Sequence, residues 1–147
     1  MTASGREDQI RRLAYELQLM QGTAEVLQQR FQVLQTALAD LTVATESLTA
    51  IKESKEGEPI LVPAGGGTYV NARLGDLSKV IVGIGADVSI EMSLVDAEEN
   101  ASGRLEEVEK ASQSVQQQLE QILAQMQAHR DGINRLSASL RGEGTGV

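Results

Sequence analysis

The stretch "KVIVGIGADVSIEM" (residues 79–92) decides the fold, because it interrupts a chain that is otherwise rich in Leu, Gln, Glu and Ala. Val, Ile and Gly replace the helix formers here, and apolar residues alternate with polar ones in "VSIEM". The segments "KVIVGI" and "VSIEM" flank the short turn "GAD", an arrangement typical of a β-hairpin. The sequence therefore predicts strands in the middle of a helical chain.

Another hairpin is predicted directly before this one. "PILVP" and "TYVNARL" are short, β-favouring segments on either side of the turn "GGG" at 65–67, and "GDLS" turns the chain again before residue 79. Side chains in a strand point alternately to its two faces, so Val70, Ala72 and Leu74 share one face. Residues 58–92 are expected to form four strands in two hairpins.

A long heptad run precedes this insert. Ser4 and Glu7 predict a capping box at its start. It stops before Pro59, where Gly57 suits a left-handed helix cap. Its apolar seam alternates spacings of three and four residues, as in a coiled coil, and consists of Ile10, Leu13, Leu17, Met20, Ala24, Leu27, Phe31, Leu34, Leu38, Leu41, Thr45 and Leu48.

A second heptad run of similar length follows the insert. Ser93 and Asp96 give its capping signal, and Gly142 predicts its end. Its seam consists of Ala101, Leu105, Val108, Ser112, Val115, Leu119, Ile122, Met126, His129, Ile133, Leu136 and Leu140. Equal helices around an insert predict a mainly α fold: a long antiparallel coiled-coil hairpin whose helices are joined by two β-hairpins. The segments are a helix (1–57), an oligomerisation region (58–92) and a returning helix (93–147).

The two hairpins are predicted to need other subunits. Short hairpins leave strand edges unpaired and apolar faces uncovered. We expect the helices to give no cover, because their seams are occupied by each other. Strands from several chains can close into a barrel or a sandwich, which removes the edges.

Composition and charge exclude several classes of protein. There is no cysteine, so disulfides and cysteine-ligated metals are excluded. No apolar run reaches the ~18 residues needed to span a bilayer, and the first ten residues hold no apolar signal-peptide core. A net charge of −8 argues against nucleic-acid and acidic-membrane binding. We expect a soluble intracellular protein.

No motif carries a catalytic or cofactor site. "GGG" lacks the Gly-Lys-Ser/Thr ending of a phosphate-binding loop, and "GIGAD" does not lead into a helix as a dinucleotide fingerprint does. His129 is the only histidine, so a polar seam residue that fixes register is favoured over a metal ligand. We expect no enzymatic activity, no cofactor and no metal.

The chain resembles the α type of prefoldin subunit over nearly its whole length. The resemblance is carried by "ILVPAGGGTYVNARL" (60–74) and "KVIVGIGADVSIE" (79–91), which are similar to the family's two hairpins; the β type carries one. It implies an archaeal-type, cytoplasmic hexamer of two α and four β subunits, whose hairpins form the intersubunit barrel.

The resemblance also implies an ATP-independent chaperone, a holdase, that binds non-native polypeptides at the coiled-coil tips and delivers them to a group II chaperonin. The residues that it places at the client-binding end, here called the tip, are Ile10, Leu13, Leu17, Ile133, Leu136 and Leu140. The residues that it places between subunits, here called the assembly face, are Ile60, Val62, Tyr69, Val70, Leu74, Val80, Val82, Ile84, Val88 and Ile90.

Alternatives stay open at each of these places. The tip residues also fit a seam that simply continues, and the strands also fit packing within one chain. The arginines near the tip fit either an acidic chaperonin surface or a solvated helix face with local ion pairs. The alternative function is a structural coiled-coil scaffold that oligomerises through its β region without client binding.

Overall fold

The computed structural model of the protein describes residues 2–145 and contains six elements. In chain order these are α1 (Ala3–Glu53), β1 (Pro59–Gly65), β2 (Thr68–Arg73), β3 (Lys79–Gly85), β4 (Val88–Ser93) and α2 (Leu94–Thr145). Two long helices with a small β insert confirm the predicted fold class. Met1 of the predicted first helix and the last two residues of the predicted returning helix lie outside the described residues.

The chain divides into two compact units. The terminal unit consists of Met1–Gln35 and Lys110–Val147, and the hairpin unit consists of Thr36–Glu109. Each unit contains part of both helices, and the hairpin unit also holds the four strands.

Within the terminal unit, α1 and α2 pack antiparallel along the predicted seam. Its seam positions are all buried or half-buried, and Ala24, Leu27, Val115 and Met126 are among the most buried side chains of the chain. Burial of this stripe supplies most of the stability of such helices, because isolated helices are marginal in water. The heptad prediction is therefore confirmed in this unit.

A polar pair joins the two helices at the seam position of Ser112. Gln35 Nε2 donates to Ser112 Oγ across 2.9 Å, and Ser112 is buried. A buried polar group is costly unless it is hydrogen-bonded, so the pair favours the one helix register that joins these two residues.

The helices of the hairpin unit are also antiparallel. Leu41, Ala97 and Ala101 are buried, and Lys52 Nζ lies 3.6 Å from Glu98 Oε2 on the other helix. Ala97 and Ala101 lie on the side of α2 that is next to β3. This ion pair is largely solvent-exposed on its lysine side, so it contributes little to stability.

The start of α1 differs from the prediction. The helix begins at Ala3, and Thr2 rather than Ser4 is its N-cap, since Thr2 Oγ1 accepts from the Gly5 N–H at 3.0 Å. At α2 the predicted cap is confirmed, because Ser93 Oγ accepts from the Asp96 N–H at 3.1 Å. Both hydroxyls satisfy an N–H that has no partner inside its helix.

The ends of the helices also differ from the prediction. α1 ends at Glu53, and Gly57 has the expected left-handed backbone (φ 84°), but it shapes a turn in which the Glu58 N–H donates to the Lys55 carbonyl. α2 continues past Gly142 to Thr145. Glycine costs a helix about 1 kcal/mol but does not end it.

The four predicted strands form two separate two-stranded antiparallel sheets, β1–β2 and β3–β4. Ile60 pairs with Ala72 and Val62 with Val70 in one hairpin; Val82 pairs with Ile90 in the other. Both hairpins close through a two-residue turn of left-handed backbone, Gly66–Gly67 in the first and Ala86–Asp87 in the second. Such turns match the twist of the strands that they join.

Candidate functional site

The hairpins expose most of the predicted assembly face. In this single chain seven of its ten residues are exposed, and Leu74, Val80 and Val82 are half-buried. Because cross-strand partners share a face, Ile60, Val62 and Val70 lie together on one side of the first hairpin. The exposed members are Ile60, Val62, Tyr69, Val70, Ile84, Val88 and Ile90.

The register separates one member of the assembly face from the others. Tyr69 pairs with Pro63, so its side chain lies on the side of the first hairpin opposite to Val62 and Val70. That opposite side also exposes Leu61 at 64%. The first hairpin is therefore apolar on both sides.

Two exposed apolar residues are missing from the predicted assembly face. Leu61 is 64% exposed, and Ile81 in β3 is 77% exposed although Glu91 is its cross-strand partner. The available signal is the unbroken apolar runs "ILV" and "VIV", which are typical of strands covered on both faces. Alternation alone selects one face and omits these residues.

The expectation that the helices leave the hairpins uncovered is wrong for β3. Val80 and Val82 are half-buried in the hairpin unit, and Arg104 Nη1 on α2 donates to the Gly83 carbonyl at 3.4 Å. A groove of about 360 Å³ remains between β3 and the two helices. Its apolar lining residues on the helices include Leu41, Leu48, Ile51 and Ala97. The apolar faces of the two helices therefore extend as far as the second hairpin.

The six tip residues lie together in the terminal unit. All six are half-buried, so each contributes both to the helix seam and to the surface. Gly132 on α2 lies against Leu13 on α1, and a Cβ added to this glycine would be 3.3 Å from Leu13 Cδ1. Close approach of the helices at this level therefore depends on the absent side chain.

The arginines of α1 near the tip form local ion pairs. Arg11 Nη1 lies 3.7 Å from Asp8 Oδ1, and Arg12 Nε lies 3.9 Å from Glu16 Oε1. Both arginines are well exposed, so these pairs contribute at most a few tenths of a kcal/mol. This arrangement favours the solvated-face interpretation of Arg11 and Arg12.

His129 makes an interhelical contact in the terminal unit. Its Nε2 lies 2.7 Å from Glu16 Oε2 on α1, and its side chain is 19% exposed. The hydrogen bond with Glu16 is the main cause that raises the pKa of His129 above its ordinary value. The predicted seam position of His129 is confirmed, whereas its partner was not predicted.

The described part of the chain contains neither of two other kinds of site, a membrane span or a metal centre. Residues 2–145 contain no helix with the length and hydropathy to cross a bilayer. The same residues contain no group of three or more His, Cys, Asp or Glu side chains arranged to hold a metal ion.

Paired antiparallel helix segments and two exposed apolar hairpins define a class of coiled-coil protein with a β insert. The family model "Prefoldin subunit" matches residues 20–139. The chain is 33% identical over 115 residues to a prefoldin subunit alpha of Thermofilum pendens, covering 78% of this chain and 89% of that one. It is 31% identical over 115 residues to the Pyrococcus horikoshii prefoldin subunit alpha, covering 78% of each chain.

The fold agrees with these similarities. A cryo-EM structure of filamentous PFD from Methanocaldococcus jannaschii matches 76% of this chain and 93% of that chain, with a TM-score of 0.64 and 20% identity. The chain belongs to the prefoldin family. Its similarity to several archaeal α subunits confirms the resemblance that its two hairpins carry.

Proposed function

We propose that the chain is the α-type subunit of a hetero-oligomeric, ATP-independent holdase. Its assembly face joins β-type prefoldin subunits, in a hexamer of two α and four β chains. Its tip binds non-native polypeptides, which the complex delivers to a group II chaperonin in the cytoplasm. The observation that carries the proposal is the row of exposed apolar side chains on hairpins of a prefoldin-family fold.

The exposure of the assembly face supports association with other subunits. Complete burial of a Val, Ile or aromatic side chain stabilises a complex by about 1.5–3 kcal/mol. The seven exposed residues of the assembly face are about half exposed in the single chain, so about half of this free energy is available for association. Seven such residues would contribute roughly 5–10 kcal/mol. Association itself costs about 4–15 kcal/mol, so the face needs a partner that also brings apolar surface. Neighbouring hairpins of other subunits have that character.

The half-buried state of the tip supports loose capture of clients. Side chains that are completely buried cannot contact a client, and fully exposed ones would make the free protein aggregate. The tip residues lie near the beginning of α1 and near the end of α2, and fraying at helix ends needs the least free energy. Fraying exposes Leu and Ile side chains that bind unfolded chains through apolar contact without sequence preference.

The test is suppression of aggregation of a chemically denatured protein by the assembled complex. Deletion of residues 1–14 and 132–147 removes most of the tip. The matched control deletes residues 21–34 and 113–126, which shortens both helices by two heptads, preserves the seam register and keeps the tip. We expect the tip deletion to abolish suppression and the internal deletion to retain most of it. Equal activity of the two variants would contradict the tip mechanism.

The alternative is a scaffold that assembles through the hairpins and binds no client. It is favoured by the seam position of all six tip residues, which fits simple continuation of the coiled coil. A scaffold predicts a stable complex that has no effect on client aggregation at any ratio of complex to client. The same assay therefore separates the two functions.

A further inference from the structure

His129 lies between two hydrogen-bond acceptors. Its Nε2 is 2.7 Å from the Glu16 carboxylate on α1, and its Nδ1 is 2.9 Å from the Gln125 carbonyl oxygen on its own helix. A carbonyl and an ionised carboxylate only accept, and a neutral imidazole has a single N–H. Only the imidazolium form, with both ring nitrogens protonated, donates to both partners at once.

The charged groups around this contact lie on both helices. On α1, Glu16 faces the ring, and Arg12 lies 3.9 Å from the second oxygen of Glu16. On α2, the adjacent Arg130 and Asp131 are exposed. Next to His129 along the seam come Met126, which is buried, and Ile133, which is half-buried.

We propose that Glu16 and His129 form a pH-sensitive latch, which holds α1 and α2 together in the terminal unit while the imidazole is protonated and loosens them when it is neutral. Opening begins when a ring proton is released to solvent. One of the two hydrogen bonds is then lost, and the charge attraction across the seam disappears. The segments of α1 and α2 that lie next to the latch carry the tip residues.

The direction of the pH dependence follows from the bonding. The Glu16 hydrogen bond raises the pKa of His129 above its ordinary value, against a smaller opposing effect of desolvation. The latch is therefore fully formed below the pKa of the opened state, about 6.5. Its contribution is lost as the pH rises through the higher pKa of the closed state. We expect the terminal unit to loosen toward alkaline pH.

The first test is an NMR titration of the full chain, in which the single histidine gives one set of imidazole signals. We expect a pKa above the ordinary value, which falls in Glu16→Gln. The matched control is Glu25→Gln, which removes an exposed carboxylate from the same helix and should leave the titration unchanged. An ordinary pKa in the unchanged protein, or the same pKa in Glu16→Gln, would overturn the latch.

The second test is amide hydrogen exchange, corrected for intrinsic rates, at about pH 6 and about pH 8.5. Opening of residues 10–20 and 125–136 should increase by the ratio of the two acid dissociation constants, about tenfold if the pKa values differ by one. Exchange in residues 38–48 of the hairpin unit serves as the internal reference.

His129→Gln keeps a donor for Glu16 and should abolish the pH dependence of hydrogen exchange. Persistence of that dependence in His129→Gln would refute the proposal. The unchanged protein is also a test by itself, because hydrogen exchange in residues 10–20 and 125–136 that did not depend on pH would contradict the latch.

Discussion

Ile90→Asp is the substitution that separates assembly from folding of the chain. Ile90 is 42% exposed in the single chain and pairs with Val82 across the β3–β4 hairpin. Covering its remaining surface would be worth about 0.6–1.3 kcal/mol, taking 42% of the 1.5–3 kcal/mol for complete burial. An unpaired carboxylate in that buried position costs about 3–5 kcal/mol. Together these figures give about 3.6–6.3 kcal/mol, which predicts a loss of assembly affinity of roughly 400-fold or more.

The free chain should tolerate the same substitution. At 42% exposure the new carboxylate reaches water, so the main loss is the cross-strand contact with Val82, worth about 0.2–1 kcal/mol. Far-UV circular dichroism should therefore show unchanged helix content. The matched control is Ser89→Asp, which places the same charge on the opposite face of the same strand, across from Gly83.

The assay is native mass spectrometry of the chain titrated with a β-type prefoldin subunit. We expect the unchanged chain and Ser89→Asp to assemble with similar midpoints, and Ile90→Asp to remain unassembled at concentrations where both assemble. Assembly of Ile90→Asp to the same mass and with the same midpoint would refute the assignment of this face.

Two further predictions concern the helices. Gly22→Ala should stabilise the chain by about 0.5–1 kcal/mol in thermal or urea unfolding, because nothing lies within 4 Å of the added Cβ. Gly132→Ala should stabilise it less, because the added Cβ would be 3.3 Å from Leu13 Cδ1. An equal gain in stability from both substitutions would show that the helices are further apart at the level of Gly132. Ser93→Ala should lose about 1 kcal/mol in the same unfolding measurement by removing the cap of α2, whereas Ser93→Asp should retain most of the stability; equal loss in both variants would contradict the capping role.

The seam and the hairpins were predictable because both depend on local patterns. A 3–4 spacing of apolar residues defines a helix face, and an alternating pattern broken by a glycine turn defines a hairpin. The glycines at 65–67 adopt the left-handed backbone that the tight turn requires. These features need no knowledge of what lies across the fold.

The remaining features depend on contacts between distant parts of the chain. Ser4 and Thr2 are both residues that cap helices well. Thr2 is the N-cap of α1 because the helix begins at the next residue, Ala3. The partner of His129 depends on the register between α1 and α2, which the seam pattern alone leaves undetermined by whole heptads. Likewise, the contact of Arg104 with β3 arises only when the helices and the second hairpin fold together.

Site-specific cross-linking to a client tests the central claim most directly. A photoreactive amino acid is placed singly at Leu17 and Leu136 of the tip, and at the exposed helix positions Val26 and Val43 as controls. Each variant is assembled with its partner subunits and mixed with a labelled, denatured protein. We expect client cross-links to form at both tip positions and to be several times weaker at Val26 and Val43. Equal yields at all four positions, or the strongest yield at Val43, would contradict it.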